Sequence, residues 1–233
     1  ELVKLGSEPA GPKIFVRHNR RLEEGFIKIN EIIDSGILGE LTFIESEYAH
    51  NYGTKHRGVN DWRVNPKREG FIGGGCHAVD LLRWIAGDPT EVFAYANHKC
   101  LTDWPVDDCT IAVMQFPNNV AGKVFTSIGC KRDYTMRSCF YGTKGTIITD
   151  NTSPEMTVFR CNADGKAVAE QVPLTINNHN AVGEFAEFCD LILDGGEVKS
   201  RSFVPTARPT YDEILSQAKG AGRQVPVRKD DKS

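Results

Sequence analysis

The chain has 233 residues, of which 40% are hydrophobic and 25% are charged, a balance typical of a soluble globular protein with one large domain or two small ones. The net charge of -3 gives no basis for a nucleic-acid or anionic-membrane surface, and no apolar run approaches the roughly 20 residues of a membrane span. No secretory leader pattern opens the sequence, so we expect a cytoplasmic protein.

Seven cysteines occur without a C-x-x-C pair, an odd number that indicates neither a zinc ribbon nor a disulfide scaffold. Most stand within apolar runs, which predicts small buried side chains in a reducing compartment. Histidine, cysteine and aspartate do not recur at ligand spacing, so no metal site is expected.

The first predicted elements are a strand over residues 13–17, a helix and a second strand. The helix is indicated by apolar residues at spacings of four, three and four before Gly36: Leu22, Phe26, Ile29 and Ile33. Residues 41–52 alternate, which places four side chains on one face of a strand: Ile44, Tyr48, His50 and Tyr52. Residues 53–70 form a long polar segment, of a length that is usually functional or disordered.

From residue 90 the apolar period changes to two, which predicts strands. The predicted strands are 90–98, 107–116, 120–130, 134–142 and 145–150, followed by a hairpin over 156–172. Asn118-Asn119 and Asp164-Gly165 suit hairpin tips because these residue types tolerate positive φ.

Two helices are predicted to close the chain, one over about 180–193 and one after the capping box Thr210-x-x-Glu213. The order of elements predicts an α+β fold, with one broad, mainly antiparallel open sheet and helices on one face. The uncovered face of the sheet is expected to be buried against a second copy of the chain.

Residues 70–88, GFIGGGCHAVDLLRWIAGD, contain Gly73-x-Gly75-x-x-Ala78, which satisfies the dinucleotide-binding fingerprint. A true fingerprint follows a strand, whereas the residues before this one are polar and contain a proline. The apolar pattern instead predicts a helix over 76–86 that ends at Gly87-Asp88-Pro89. The glycines are therefore interpreted as allowing a close backbone approach near His77.

His77 is predicted to lie in the first turn of this helix. Asp80, three residues later, shares its face and is expected to orient the imidazole. The positive end of the helix would keep the ring neutral and able to accept a proton. The alternative is a core histidine bonded to Asp80 with no catalytic role.

The same segment resembles the G-G-x-x-x-D-x-G-x-H-x-x-D pattern of the glucose–fructose oxidoreductase, inositol dehydrogenase and MocA family. The resemblance extends over residues 13–228, through DSGILGE, DWRVNP and NNHNAVGEFAEFCDLILDGG. It implies the C-terminal domain of such a protein, similar to that of glyceraldehyde-3-phosphate dehydrogenase. Residues 1–12 would be a remnant of the preceding domain and linker, and 229–233 a polar tail.

The family's Rossmann domain, which binds NAD or NADP and carries a lysine in an E-K-P motif, is absent from this sequence. The resemblance therefore implies NAD or NADP in the intact protein and no cofactor on this chain alone. It also implies a homo-oligomer that forms through the open face of the sheet.

His77 falls at the family's catalytic histidine, which hydrogen-bonds, or takes a proton from, the hydroxyl being oxidised while hydride passes to nicotinamide. Many dehydrogenase members have an aspartate four residues earlier, where this chain has Gly73, and this departure weakens the polyol dehydrogenase assignment. The candidate substrate-binding residues are Tyr52, Trp62, Arg63 and His179. Trp62 would stack on a sugar or merely pin its loop, and Arg63 would bind hydroxyls or a carboxylate or be an ordinary surface residue.

Three functions stay open at this point. In the first, the chain is the substrate-binding and oligomerisation domain of a nicotinamide-dependent oxidoreductase that acts on a sugar or polyol, and it is inactive alone. In the second, it is the same domain of an NAD-dependent glycosidase. The third is a non-enzymatic dimerisation or ligand-binding module. Lys131-Arg132 is interpreted as a charge pair in a loop rather than an anion site.

Overall fold

The computed structural model describes residues 19–54, 63, 65, 70–174, 182–194, 214 and 225–226. Within this part of the chain the helices are α1 (Glu24–Asp34), α2 (Cys76–Ala86) and α3 (Val182–Asp194). The strands are β1 (Leu41–Ala49), β2 (Glu91–Asn97), β3 (Cys109–Phe116), β4 (Val120–Ser127), β5 (Arg137–Gly142), β6 (Gly145–Asp150), β7 (Glu155–Cys161), β8 (Ala167–Pro173) and β9 (Val225–Pro226).

All nine strands belong to one open sheet in the order β8-β7-β6-β5-β1-β4-β3-β2-β9. The neighbours β1 and β4 run parallel, whereas the other pairs of these strands are antiparallel. The predicted α+β fold with a broad, mainly antiparallel sheet is therefore confirmed. The parallel pair is the feature that the alternation of apolar residues did not indicate, because a period of two is the same for either strand direction.

The main core lies between one face of the sheet and the helices. Ile29 of α1 and Leu82 of α2 are almost fully buried in the same apolar cluster as Ile44 of β1, Val124 of β4 and Phe140 of β5. Residues that alternate with these strand positions form the opposite face, which includes half-exposed and exposed apolar side chains. Helices on one face are thus confirmed for α1 and α2.

The two predicted hairpin tips are confirmed. Asn118 and Asn119 have φ values of 59° and 61° in the connection between β3 and β4. Gly165 has a φ of 74° between β7 and β8. Asparagine and glycine adopt this left-handed conformation most readily, so the local sequence fixes where these strands reverse.

Two predictions need correction. Strand β1 ends at Ala49, so His50 and Tyr52 lie beyond it, and Tyr52 begins a short 3-10 turn. Of the seven cysteines, all without a disulfide, Cys139 is buried, whereas Cys100, Cys161 and Cys189 are exposed. An apolar run marks a strand or helix but does not show which of its faces the sheet covers. The predicted strand at 13–17 and the capping box at 210–213 lie outside the described residues.

Candidate active site around His77

The carboxyl ends of β1 and β4 meet at one edge of the sheet because these two strands are parallel neighbours. Beyond the strands the chain stays paired: the His50 amide donates to the Ser127 carbonyl and the Tyr52 amide to the Ile128 carbonyl, both at 2.8 Å. In open sheets with parallel strands, ligands bind outside such carboxyl ends. This edge is therefore the candidate site.

The glycine segment reaches this edge as a helical turn packed on the sheet. Residues Phe71–Gly75 form a π-helical turn that runs directly into α2, and Gly74 and Gly75 are buried. A Cβ on Gly74 would lie 2.1 Å from Tyr48 Cε1, and one on Gly75 would lie 2.3 Å from Thr126 Oγ1. The glycines therefore let the turn lie directly on β1 and β4, and the space above their backbone is filled by the protein itself.

His77 follows this turn and is half-buried. Its ring stacks on Tyr48, with centroids 6.3 Å apart and planes inclined by 27°. Helix α2 begins at Cys76, so His77 lies in its first turn as the sequence predicts, although the π-helical turn Phe71–Gly75 precedes it without a break. The predicted influence of the helix end on the imidazole stays a prediction.

An aromatic cluster continues from Tyr48 along the edge. Tyr48 contacts Tyr134 with centroids 5.4 Å apart, and His50 contacts Tyr134 at 4.7 Å and Tyr52 at 5.1 Å. Tyr48 and Tyr52 are only 7% and 6% exposed. The site is thus built on a packed aromatic base rather than on mobile surface side chains.

Hydrogen bonds fix the orientation of these rings. The Tyr48 hydroxyl lies 3.1 Å from His50 Nδ1 and 3.1 Å from the Tyr52 hydroxyl. Arg20 donates to the Tyr134 hydroxyl at 2.7 Å and to Glu23 at 2.5 Å. Burial raises the pKa of the Tyr48 phenol far above its ordinary value, and Tyr52 raises it further, so Tyr48 stays a neutral hydrogen-bonding group.

Asp80 lies on α2 close to His77 in sequence and is 2% exposed. Arg21 Nε donates to Asp80 Oδ2 at 2.8 Å and Arg21 Nη2 donates to Oδ1 at 2.7 Å, which is a buried bidentate pair. The carboxylate therefore ties the segment before α1 to the helix that carries His77. The predicted effect of Asp80 on the imidazole stays a prediction.

The structure brings together two of the predicted site residues, His77 and Tyr52, through Tyr48. Arg63 is half-buried, while Trp62 and His179 lie outside the described residues, and their roles stay predictions. Sequence reasoning missed four contributors: Arg21, Tyr48, His50 and Tyr134. The alternation in β1 pointed to Tyr48 and His50 as neighbours, but no local signal links Arg21 or Tyr134 to the site.

The described residues contain no group of three or more histidine, cysteine, aspartate or glutamate side chains arranged to hold a metal ion. In the same part of the chain no helix has the length and apolar character needed to cross a membrane. The expected absence of a metal stays a prediction.

Comparison with known proteins agrees with this fold. A model of the GFO/IDH/MocA C-terminal domain matches residues 26–148, more than half of the chain. The uncharacterized oxidoreductase C115.03 of Schizosaccharomyces pombe is 26% identical over 167 residues, covering 66% of this chain and 43% of that protein. Myo-inositol 2-dehydrogenase of Thermotoga maritima is 24% identical over 149 residues, covering 59% of this chain and 41% of that protein.

Among solved structures, levoglucosan dehydrogenase in complex with NADH and L-sorbose superimposes with a TM-score of 0.73 at 20% identity. The match covers 86% of this chain and 62% of that chain. At this identity the likeness supports the fold alone. The chain spans about four-tenths of the length of the curated relatives named above, at 43% and 41%.

Proposed function

The chain belongs to the GFO/IDH/MocA oxidoreductase family, and we propose that it is the substrate-binding and oligomerisation domain of an NAD(P)-dependent oxidoreductase acting on a sugar or a polyol. The observation that carries the proposal is the position of His77. It lies at the carboxyl ends of the parallel strands β1 and β4, half-buried and stacked on Tyr48. A histidine held in this way suits proton transfer with a substrate hydroxyl.

The described residues do not fit a nucleotide at the glycine turn. The Tyr48 ring and Thr126 occupy the space that a Cβ on Gly74 or Gly75 would enter, so on this side of the turn the glycine backbone packs on the sheet and leaves no room for a phosphate. We therefore infer that NAD(P) is bound by residues other than these. On this proposal the 233-residue chain binds no NAD(P) and is inactive alone.

His77 has a defined task in this scheme. Oxidation of an alcohol to a carbonyl removes a proton from the oxygen and a hydride from the carbon, and NAD(P) supplies the hydride acceptor. Nδ1 of His77 is buried, and we therefore assign the substrate hydroxyl to Nε2. Nε2 accepts the hydroxyl proton, while the stack on Tyr48 fixes the plane of the ring.

His77→Asn tests this task because asparagine keeps a polar group but cannot act as a base. In the full-length protein, we expect kcat for NADH formation to fall by about 10²–10⁴-fold with a small change in KM. Lys166→Ala, an exposed change in the turn between β7 and β8, is the control and should leave kcat unchanged. Equal kcat for His77→Asn and the wild type would refute the role of His77.

The same assay distinguishes the glycosidase alternative. Gly73, in place of the aspartate found in many dehydrogenases of the family, is the observation that motivates this alternative. An enzyme that releases an aglycone without accumulating NADH would be a glycosidase that oxidises the sugar, eliminates the aglycone and then reduces the sugar again. Calorimetry adds a separate check, because NAD(P) binding by the 233-residue chain would contradict the proposal that this chain alone binds no nucleotide.

The open face of the sheet supports the oligomerisation part of the proposal. Cross-strand neighbours on β2, β3 and β4 form an apolar patch on this face: Phe93, Tyr95, Ile111, Val113 and Phe125. Tyr95 is 56% exposed and Val113 is 45% exposed. Contiguous apolar surface of this kind marks interaction sites, and copies of one chain usually pair symmetrically.

Light scattering on the wild type and on Val113→Glu tests this part. We expect the wild type to be a dimer or larger, and the variant to dissociate at the same concentration, because a charge in the patch would be buried without a partner. Lys123 stands opposite Val113 in the sheet, where it could form an ion pair with the introduced glutamate. Val113→Lys is therefore the second variant, because it introduces a charge that cannot pair with Lys123. A monomeric wild type would refute oligomerisation.

A further inference from the structure

A polar cleft opens beside the aromatic cluster, at the same edge of the sheet as His77. Its volume is about 530 Å³, and it lies between the segment after β1 and the loop after β4. His50, Asn51 and Thr54 line one side, and the consecutive residues 131–134 line the other. His50 and Tyr134 belong to the aromatic cluster as well, so one wall is shared with the base that supports His77.

The residues that line the cleft include two cations and one carboxylate, and outside the lining Arg132 interacts with Glu47 and Asp150. Lys131 and Arg132 face it with a single carboxylate, Asp133. Arg132 makes a long contact of 3.5 Å with Glu47, and Lys131 has no ion-pair partner among the residues that the structure describes. The side-chain amide of Asn51 is a further group that can bind an oxyanion, whereas the Thr54 hydroxyl donates to the Asn51 carbonyl at 3.0 Å.

We propose that this cleft is the specificity subsite for the substrate, and that it takes an anionic substituent, a carboxylate or a phosphate, on the sugar or polyol. The inference rests on the proposed function, because it assigns the substrate class of the same site. Lys131 and Arg132 bind the anion, while the hydroxyl to be oxidised reaches His77 past the wall formed by His50 and Tyr134. The sequence alone favoured a solvated charge pair at Lys131-Arg132, and it is the shared wall with the His77 cluster that changes this interpretation.

Lys131 and Arg132 are both exposed, so their replacement tests the cleft without disturbing the core. Calorimetric titration of the 233-residue chain compares D-glucuronate and glucose 6-phosphate with uncharged glucose and myo-inositol. We expect at least one charged sugar to bind more tightly than either neutral compound. That preference should shrink about 3- to 10-fold in Lys131→Ala/Arg132→Ala and in roughly 0.5 M salt.

The control is Lys166→Ala, which removes an exposed cation at the far edge of the sheet and should leave affinities unchanged. A response to glucuronate alone would assign a carboxylate, and a response to glucose 6-phosphate alone would assign a phosphate. Inorganic phosphate bound as tightly as the sugar phosphate would overturn the proposal, because the cleft would then hold a free anion. The proposal is equally overturned if charged sugars show no advantage, including the case in which none of them binds.

The two proposals fail in different ways. If a charged sugar binds through Lys131 and Arg132 but is never oxidised by the full-length protein, the subsite stands and the oxidoreductase assignment falls. If a neutral polyol is oxidised with dependence on His77 while charged sugars neither bind nor react, the oxidoreductase stands and the subsite falls.

Discussion

Replacing Gly74 with alanine should destabilise the protein, because the turn before His77 leaves no room for a methyl group. The added Cβ would lie 2.1, 2.5 and 2.7 Å from three atoms of the Tyr48 ring. Ordinary van der Waals contact begins at 3.4 Å, so the closest approach is about 1.3 Å too short. Tyr48 is 7% exposed and its hydroxyl is held by His50 and Tyr52, so the ring has no free direction in which to move.

The expected loss is about 2 kcal/mol of unfolding free energy. Overpacking of a filled core costs about 1–3 kcal/mol, and this contact belongs at the upper end because three ring atoms clash. The higher helix propensity of alanine offsets up to about 1 kcal/mol of this loss. The urea midpoint should therefore fall by roughly 1 M at unchanged slope.

Gly25→Ala is the matched control, because its Cβ would meet Leu174 at an ordinary 3.4 Å on helix α1. We expect it to be neutral or slightly stabilising. A cycle with Tyr48→Leu isolates the clash, since the cost of Gly74→Ala should shrink by at least about 1 kcal/mol once the ring is gone. An equal cost in both backgrounds, or a Gly74→Ala protein as stable as the wild type, would refute the packing argument.

Two further predictions concern buried and half-buried charges. Asp80→Asn should lower the free energy of unfolding in urea by about 3–5 kcal/mol, because it leaves the guanidinium of Arg21 buried without its carboxylate. Replacing both residues by leucine should recover most of this loss. An equal loss in the single and the double variant would contradict the pairing. Burial alone would raise the pKa of Glu45, but Lys123, with Cys139 and Arg137, holds that pKa below its ordinary value of 4.5. The contribution of Glu45 to stability is therefore present above pH 4.5 and lost as the pH falls through the lower pKa of the folded protein. Glu45→Gln should reduce the loss of stability at acid pH. An unchanged profile of stability against pH would refute this.

Local chemistry made the elements predictable. Apolar spacing located α1, α2 and the strands β1 to β8 to within a few residues, and Asn118-Asn119 marked a reversal that has positive φ in the structure. These features depend on residues close together in the chain, so the sequence carries them directly. Residues 70–88 also pointed to His77 and to glycines that permit a close approach, although not to what would approach them.

The partners of the site residues were not predictable in the same way. Tyr48 fills the space over Gly74, Arg21 binds Asp80 across 59 positions, and Tyr134 meets His50 from a different loop. Each pairing depends on which strands become neighbours, and alternation gives the same period for parallel and antiparallel pairs.

The sequence by itself therefore determined most of the described helices and strands, the α+β class and the helix that carries His77, because these follow from periodicity and turn chemistry. Only the tertiary structure decided that β1 and β4 lie parallel and side by side. That one pairing brings His50 and Lys131 to the same edge and gives His77 an aromatic base. The pairing of β1 with β4 depends on the whole chain, because the strand order must bury the complete apolar face of the sheet. No short segment of the sequence carries that information.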